Sequence, residues 1–470
     1  MIGQGEKQIH DATMRILATK GMTFMYPEAV DLAKAHGLKV EGATVFFTEK
    51  KLMELISLAP ARFTLSGSNP EKAVIVGNHE THHIPGGASQ FFLEENGFLR
   101  DAEMRDFVRL TRLFHAAQEI PIMAGMVVQP GDVKPEDTLG HVLFQLFQLT
   151  DKPFLSAAGD PRATGLALGM TSIANGGDAE MLRIPRIMVV ANPLSPLKMD
   201  RNATYFLMEI ARRNQVVCVA PCAMAGTTAP MTLAGAFVQT NAETLAGIAL
   251  AQMVRPGAPS VYGFLTTVSD LRTGSIATGA PEQAISAIWG GRLARLYNLP
   301  CRLGGGGLTD ADVNGLQSGY ESFMNILAAR EAGSSISFQA AGVLGAFNAM
   351  NMEKAVSDLE VIGMVNRIAR DIDITPETLA EDVIAKVAPD GQYLTHPHTV
   401  RHCRKEVFQP RISYRGPMSR EGQRESELGR VLAEVRRREE AYSPPDIPKT
   451  VAKDLRAFLS KEGIEPKTYV

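Results

Sequence analysis

The chain has 470 residues, with 48 lysines and arginines against 51 aspartates and glutamates and a formal net charge of −3. This near-neutral, 45% hydrophobic composition with four cysteines excludes a disordered chain, a disulfide scaffold and a net-basic nucleic-acid binder. No apolar run approaches the about 18 residues of a membrane-spanning helix, and the opening MIGQGEKQIHDATMRI lacks the apolar core of a signal peptide. The sequence therefore predicts a cytoplasmic protein with reduced thiols and with neither a membrane nor a nucleic-acid partner.

Residues 1–85 are predicted to form a small N-terminal cap that is helical with short strands. Ile9, Ala12 and Ile16 recur at the spacing of one helix face. Further along, the run Phe63–Leu65 resembles a short strand. This segment does not show the regular pattern that follows it.

Eight short apolar runs, each followed by a helical pattern, recur along residues 86–355. They start near Ser89, Pro121, Pro153, Ile187, Val216, Ser260, Pro300 and Ser335. Their mean spacing of about 35 residues resembles the roughly 31 residues of one strand–helix unit in a closed eight-fold barrel. Runs such as Ile187–Ala191 are apolar on both faces, as parallel strands covered by helices require. The sequence thus predicts an α/β fold, a TIM (β/α)8 barrel, in preference to an open doubly wound sheet.

After position 355 the strand rhythm stops, and residues 356–470 are predicted to form a helical C-terminal extension. Helical patterns occur around Val356–Val365, Leu379–Val387 and Lys453–Leu459. The segment 401–440 has an excess of basic residues, which is typical of a solvated helix and leaves open a docking face for an acidic partner.

In a barrel, reactive groups lie in the loops that follow the carboxyl ends of the strands. The candidates at these positions are Gln90, Phe92 and Glu94 after the first strand, Asn192 after the fourth, Tyr262, Asp270 and Arg272 after the sixth, Asp310 and Gln317 after the seventh, and Phe338 and Phe347 after the eighth. The run Gly304, Gly305, Gly306 and Gly307 lacks the lysine and the fingerprint of a nucleotide site. It is typical of a turn that another group passes closely.

Neither a metal site nor a hydrolytic triad is predicted. Cys218 and Cys222 flank a strand end without a histidine pair at zinc spacing, so we interpret them as buried thiols. Two histidine clusters are interpreted as surface groups: His79, His82 and His83, and then His396, His398 and His402.

Three motifs carry a family resemblance: PCAMAGTTAPMTLAGAFVQTNAETLAGIALAQMVRPGAPSVYG (Pro221–Gly263), SDLRTGSIATGAPE (Ser269–Glu282) and LTDADVNGLQSGYES (Leu308–Ser322). From about Gly86 to Pro410 the chain resembles the trimethylamine methyltransferase family. The resemblance implies a TIM barrel that moves a methyl group from a methylamine to the cobalt of a corrinoid on a separate small protein.

Some family members carry pyrrolysine near the end of the seventh strand, whereas this chain has the standard residues Asp310, Ala311 and Asp312 in that neighbourhood. The chain therefore resembles the pyrrolysine-free branch, which demethylates quaternary amines such as glycine betaine. This implies methyl transfer from glycine betaine to cob(I)alamin on a partner corrinoid protein, giving dimethylglycine and methylcobalamin, with no tightly bound cofactor. Carnitine, proline betaine and trimethylamine remain alternative donors. Barrels of this class are often oligomeric, so a homo-oligomer is expected.

The resemblance also implies roles for the candidate residues, because a quaternary ammonium has no N–H and is held by aromatic faces and carboxylates. Substrate binding is assigned to Gln90, Phe92, Asn192, Tyr262, Asp270, Arg272, Phe338 and Phe347. Within this set Arg272 is the expected partner of the glycine betaine carboxylate. Catalytic roles are assigned to Asp310, Gln317 and Glu94. The run Gly304–Gly307 is expected to admit the corrinoid ring, so that leucine at Gly305 and Gly306 would block methylation and spare the fold.

Two other function classes remain open from the sequence. A barrel lyase or aldolase needs a strand-end lysine for a Schiff base, and Lys198 is the one candidate. A non-catalytic betaine-binding module would bind its ligand without forming methylcobalamin.

Overall fold

The computed structural model describes residues 3–78, 80–387, 389, 391–417, 426–467 and 469. The N-terminal part consists of three helices, five short strands and one 3-10 turn. They are α1 (Gln4–Thr19), β1 (Met22–Phe24), α2 (Pro27–Ala35), β2 (Lys39–Glu41), β3 (Thr44–Phe46), α3 (Glu49–Ile56), β4 (Phe63–Leu65), the turn Pro70–Lys72 and β5 (Val74–Val76). β1 and β2 each pair antiparallel with β3, and β4 pairs antiparallel with β5. Leu17, Phe24 and Leu52 are buried beneath these elements.

The central part alternates strands with helices. Its elements are β6 (His82–His83), β7 (Phe91–Leu93), β8 (Leu99–Asp101), α4 (Met104–Ala116), β9 (Met123–Ala124), α5 (Thr138–Leu149), β10 (Phe154–Ser156), α6 (Pro161–Ala174), α7 (Asp178–Arg183), β11 (Ile187–Ala191), β12 (Lys198–Met199), α8 (Arg201–Arg212), β13 (Val216–Val219), β14 (Cys222–Ala225), α9 (Leu233–Val254), β15 (Ser260–Ser269), β16 (Ile276–Ala277), α10 (Pro281–Leu296), β17 (Cys301–Leu303), α11 (Leu316–Glu331), β18 (Ile336–Ser337), β19 (Val343–Leu344) and β20 (Ala349–Met350).

Eight parallel strands form the principal sheet, in the order β6, β18, β17, β15, β13, β11, β10, β9. β6 and β9 are the two ends of this order. Beyond them the chain segments meet, since the Ala88 amide donates to the Met126 carbonyl at 2.7 Å and Ser89 forms a parallel bridge with Val128. The predicted α/β class and a sheet of parallel strands are therefore confirmed.

Seven of the eight predicted strand starts lie within two residues of the observed ones. The first strand is the exception, because it begins at His82 and not near Ser89, ahead of the predicted boundary at position 86. Its residues are two histidines, which give no apolar run. The predicted surface position of this cluster is wrong for His82 and His83, which are both buried; His79 lies outside the described residues.

Local sequence signals set the helix ends around this sheet. The Asp160 carboxylate accepts from the Ala163 amide at 2.8 Å, with Pro161 in the first helical turn of α6. Asp200 caps α8 in the same way by accepting from the Asn202 and Ala203 amides. These helices cover strands such as β11, in which four of the five residues are buried.

The C-terminal part consists of helices and connecting segments in its described ranges. Its helices are α12 (Met352–Ala369), α13 (Pro376–Leu379), α14 (Glu381–Val387), α15 (Pro397–Glu406), α16 (Glu427–Glu440) and α17 (Lys449–Lys461). α16 packs against α4 and α12, and α17 packs against α5 and α6. Close approach of α17 depends on Gly140 and Gly169, because a Cβ there would lie 2.7 Å from Ile464 and 2.6 Å from Phe458.

Candidate active site

A cavity of about 400 Å³ lies at the carboxyl ends of the parallel strands, and all eight strands or the residues just after them contribute to its lining. Most of the lining is apolar. The exceptions are Ser156, Asn192, Cys222, Arg302 and Gln339. Among the described lining residues, Arg302 is the only charged side chain.

Arg302 is the central residue of β17, and its side chain lies beneath the cavity. It is 4% exposed, and its guanidinium carbon lies 5.4 Å from the centre of the Phe338 ring. Within the described part of the chain, its side chain makes no hydrogen bond, and its buried Nε has no partner. Burial lowers the pKa of the guanidinium, although the Cys218 and Cys222 thiols act in the opposite direction. A buried cation without an acid beside it is costly, so an anion is the ligand that this position would bind.

Phe338 and Phe347 form an aromatic side of the cavity, and both are half-buried. Phe347 has a backbone φ of +80° and its neighbour Ala346 a φ of +50°. A left-handed backbone at two consecutive non-glycine residues costs free energy and occurs mainly where the surrounding structure imposes it. The ring of Phe347 is thus held over the cavity by a strained turn.

Gln339 ties three strand ends together behind this aromatic side. Its Oε1 accepts from the Gly87 amide at 2.9 Å, and its own carbonyl accepts from the Gly307 amide at 2.9 Å. Its φ of +62° is a third left-handed non-glycine conformation beside the cavity. The side chain of Gln339 therefore fixes the position of the loop that carries Phe338.

Comparison with known proteins identifies the family of the chain. Residues 3–465 match the family model described as trimethylamine methyltransferase (MTTB). The chain belongs to the trimethylamine methyltransferase family. It is 34% identical to a glycine betaine methyltransferase of Desulfitobacterium hafniense (strain Y51), over 98% of this chain and 96% of the relative. It is 28% identical to an L-carnitine:corrinoid methyltransferase of Eubacterium limosum, over 94% and 92% of the two chains.

The prediction that the chain is an enzyme of the methyltransferase class is confirmed by this membership. Its fold resembles that of the monomethylamine methyltransferase of Methanosarcina barkeri, with a TM-score of 0.50 at 13% identity. That match covers 94% of this chain and 93% of the other and concerns the fold alone. Among the described residues, no helix of this methyltransferase is both long and apolar enough to span a bilayer.

Three of the predicted site residues are brought together in the cavity of this methyltransferase: Asn192, Phe338 and Phe347. Asn192 is exposed to the cavity, and its side chain makes no hydrogen bond to a residue of the described ranges. An amide with free donors and acceptors can position a polar substrate.

Two predicted cage aromatics are placed elsewhere. The Tyr262 side chain is fully buried and points to α9, where its hydroxyl donates to Asn241 Oδ1 at 2.7 Å. Phe92 is 1% exposed in β7, and the Arg100 guanidinium lies 5.0 Å from its ring centre. Neither of these predicted substrate-binding rings therefore lines the cavity, since Tyr262 points to α9 and Phe92 packs against Arg100 in the interior.

None of the three predicted catalytic residues lines the cavity; two of them hold loops together, and the third makes a contact within a helix. Glu94 accepts from Arg100 Nε at 2.6 Å. Asp310 accepts from the Thr278 amide and hydroxyl at 2.7 and 2.8 Å and from the Gly279 amide at 3.0 Å. Gln317 donates to Glu321 at 2.9 Å. These contacts assign Glu94 and Asp310 to loop structure and Gln317 to an interaction within α11, and a catalytic role for the three has no geometric support.

Three other predicted substrate contacts lie away from the cavity lining. Gln90 is exposed to solvent beyond β6. Arg272 is 89% exposed and pairs with Asp270 at 2.7 Å. This pairing lowers the pKa of Asp270 to about 2. Arg272 therefore does not reach the cavity, whereas Arg302 lines it.

The four glycines Gly304, Gly305, Gly306 and Gly307 are buried, so the run offers no surface to a corrinoid ring. A Cβ at Gly305 would lie 2.2 Å from Leu308, and one at Gly306 would lie 2.6 Å from the Phe338 carbonyl. The predicted leucine substitutions would therefore disrupt the fold. The glycine run forms a tight turn, and the loop after β18 packs closely against it.

Sequence reasoning missed Arg302 and Met126 in the cavity lining, whereas Gln339 was among the positions expected after the eighth strand. A signal for Arg302 was available, since an arginine inside an otherwise apolar buried strand needs a partner. Lys198, the Schiff-base candidate, is exposed and does not line the cavity. In the described ranges, no group of three or more histidine, cysteine, aspartate or glutamate side chains is arranged to hold a metal ion.

Proposed function

We propose that the chain transfers a methyl group from glycine betaine to the cob(I)alamin of a partner corrinoid protein, giving dimethylglycine and methylcobalamin. The observation that carries this proposal is Arg302, a buried cation without a hydrogen-bond partner and the only charged side chain among the described residues that line a mostly apolar cavity. Family membership supports the methyl-transfer chemistry, and the 34% identical relative is named for glycine betaine.

The charge of the cavity favours a methylated amine that also has a carboxylate. A bare onium ion such as trimethylammonium or choline would be repelled by Arg302, with no carboxylate among the described lining residues to offset the repulsion. A betaine carboxylate can accept two parallel hydrogen bonds from the guanidinium. Its trimethylammonium group would then contact the ring of Phe347 and the apolar side chains of Met126 and Leu265, where an aromatic face contributes about 0.5–2 kcal/mol.

The proposed chemistry also suits a lining that has no proton donor of the histidine, lysine or carboxylic acid type among its described residues. When cobalt(I) attacks the methyl carbon, the N–CH3 bond breaks and its electron pair stays on nitrogen. The leaving group is a neutral tertiary amine, so no proton has to be delivered. The enzyme's contribution is orientation and exclusion of water, and orientation can contribute roughly 7–11 kcal/mol in favourable cases.

The methyl acceptor has to approach from the carboxyl ends of the strands. We infer that the eight strands close into a TIM barrel, supported by the contacts of Ala88 with Met126 and of Ser89 with Val128. Two exposed apolar side chains on the loops after β14 and β15, Met231 and Leu271, and a third at the start of α11, Leu316, offer a surface for the corrinoid protein. We place the reaction in the cytoplasm, where reduced cobalamin is compatible with free thiols.

The test is a methylation assay with purified protein, cob(I)alamin and a panel of amines, in which the methyl–cobalt absorption is followed. We expect activity with glycine betaine, and none with choline or trimethylamine. Activity with carnitine or proline betaine, but not with glycine betaine, would identify a different carboxylated amine as the methyl donor. Binding of glycine betaine without any methyl–cobalt product would indicate that the protein is a betaine-binding module and not a methyltransferase for this donor.

Substitution of the carboxylate partner tests the same proposal at one residue. Arg302→Met should raise KM for glycine betaine at least 100-fold, because a buried hydrogen-bonded ion pair contributes several kcal/mol. Arg272→Met is the matched control, since that arginine is exposed and paired with Asp270, and it should leave KM unchanged. The assignment would be refuted by an equal effect of both substitutions.

A further inference from the structure

Four neighbouring strands of the principal sheet place one residue each at the same level of the cavity wall. These strands are β11, β13, β15 and β17, and we name the four residues the polar row: Asn192, Ala220, Gly263 and Arg302. Gly263 pairs directly with Arg302, and the Ala220 amide donates to the Ala191 carbonyl at 3.0 Å. A Cβ at Gly263 would lie 2.4 Å from the Cβ of Ala220, so the two residues face the same side. That side is the cavity, because Asn192, Ala220 and Arg302 all line it.

The polar row has a polar side chain at each end and almost no side chain in the middle. Arg302 is the cation at one end, and Asn192 is the amide at the other. Neighbouring strands are about 4.8 Å apart, so the two ends are separated by about 14 Å along the wall. Between them Ala220 offers one methyl group and Gly263 none. The middle of the row therefore leaves space for a polar group of a ligand.

The levels below and above the polar row have no comparable pair of polar ends. Two residues earlier on the strands, Val190 pairs with Cys218 and Cys218 pairs with Val261. At the level above, Cys222 pairs with Leu265. These side chains are apolar or are thiols, which behave as small hydrophobic groups. On these strands the strong hydrogen-bonding groups of the lining are therefore confined to one level.

The two ends of the polar row are also the lining side chains that are free to bind a ligand. Gln339 accepts from a backbone amide at 2.9 Å, and Ser156 donates to the carbonyl of the next residue at 2.9 Å. By contrast, neither Asn192 nor Arg302 makes a side-chain hydrogen bond to a residue in the described part of the chain. Arg302 is only 4% exposed, so it is an unpartnered buried cation beside this space.

We propose that Asn192 is a second carboxylate-binding residue, and that its neutral amide restricts the donors to amines that have a carboxylate. A carboxylate has about four lone-pair sites, so it can accept from the Arg302 guanidinium and from the Asn192 amide at once. The inference rests on the proposed function for the identity of the ligand. It gives Asn192 a role in specificity, because an aspartate there would supply the counter-charge that Arg302 lacks and would admit a bare onium ion.

The first experiment measures binding without methyl transfer. The anion of tert-butylacetic acid has a carbon atom where glycine betaine has nitrogen, so it keeps the carboxylate and has no methyl group that can leave. In calorimetry, Asn192→Ala should bind this anion about 10-fold more weakly than the wild type, because a hydrogen bond to a charged group is lost. Asn192→Asp should bind it at least about 100-fold more weakly, because two carboxylates then face each other.

Asn202→Asp is the matched control for this measurement. It introduces the same charge at the exposed first turn of α8, outside the lining, and should bind the anion like the wild type. Unchanged affinity in both Asn192 variants overturns the assignment, and so does a wild type that does not bind the anion. If no donor yields a methyl–cobalt product but these differences in affinity persist, the proposed function is refuted and the role of Asn192 in carboxylate binding stands.

The second experiment measures donor selectivity as the ratio of kcat/KM for tetramethylammonium to kcat/KM for glycine betaine. Asn192→Asp should raise this ratio at least about 100-fold, because it weakens binding of the carboxylated donor and offsets the repulsion of the bare cation by Arg302. A residue that only supports the fold would lower both values together and leave the ratio unchanged. An unchanged ratio in Asn192→Asp therefore overturns the role of the neutral amide in specificity.

Discussion

At the scale of single residues, two buried groups without hydrogen-bond partners respond differently to burial. Arg302 keeps its proton because the reference pKa of arginine is above 12, so its charge remains available to an anion. His83 is 2% exposed, and within the described ranges neither of its ring nitrogens has a partner. Burial, aided by the nearby His82 and Arg330, lowers the pKa of His83 to about 3. A buried histidine can lose its proton and become neutral, whereas a buried arginine stays charged. Of these two residues, only Arg302 therefore needs an anionic ligand to balance its charge.

This difference predicts a pH dependence of stability. Between pH 6.5 and pH 3 the unfolded chain binds a proton at His83 that the native state does not bind, so the free energy of unfolding falls as the pH falls. The loss is about 1.4 kcal/mol per pH unit, or about 2 kcal/mol from pH 6.5 to pH 5. His115, with a pKa of about 4, adds to the loss in the same range. Urea unfolding of His83→Leu at pH 7 and pH 5 should show a pH effect smaller by about 2 kcal/mol than in the wild type. An identical pH effect in both proteins would contradict the assignment.

At the scale of elements, strand positions were predictable and side-chain directions at the strand ends were not. Strands covered by helices on both faces leave continuous apolar runs, which is why Ile187 and Val216 were located as strand starts. β15 runs on to Ser269, although the sequence placed its end near Tyr262. Alternation along the strand puts Leu265 in the cavity lining and Tyr262 on the face towards α9. Candidate residues that are chosen at a strand end without knowledge of the strand's length therefore include side chains from both faces of the strand.

The turn after β17 gives a prediction at this scale. Gly306 has a φ of +53°, and a Cβ there would lie 2.6 Å from the Phe338 carbonyl. Gly306→Ala should therefore lower the free energy of unfolding by about 2–4 kcal/mol, because a backbone clash adds to the strain of a left-handed alanine. Gly165→Ala in α6 is the control, since its Cβ would meet nothing within 4 Å and alanine is the better helix former by about 1 kcal/mol. The free energy of unfolding of both variants is measured in urea. Equal values would refute the role of the close approach between Gly306 and the Phe338 carbonyl.

At the scale of the whole molecule, the cavity depends on residues that are distant in sequence and that meet only in the folded sheet. Met126 follows β9, Arg302 lies in β17 and Phe347 lies beyond β18. Most strands could be located from their own apolar runs. The cavity lining, however, depends on loop conformations such as the left-handed turn at Ala346 and Phe347, and no local sequence pattern predicts that turn. Residues 371–405 show the same limit, since a helix was predicted at Leu379–Val387, whereas the absence of buried residues in the described part of this segment was not.

Because all eight strands contribute to the cavity, a ligand bound there should stabilise the native state as a whole against unfolding. A ligand at 100 times its Kd adds about 2.7 kcal/mol to the free energy of unfolding. For domains of roughly 150–250 residues 1 kcal/mol shifts Tm by about 2–4 °C, and for this longer chain somewhat less. Millimolar glycine betaine should therefore raise Tm by a few degrees in the wild type and in Arg272→Met, and should leave Tm of Arg302→Met unchanged. Choline at the same concentration should shift none of the three, because it has no carboxylate for Arg302. A shift of equal size in Arg302→Met would mean that glycine betaine acts only as a general osmolyte on this protein, and the carboxylate contact would have to be abandoned.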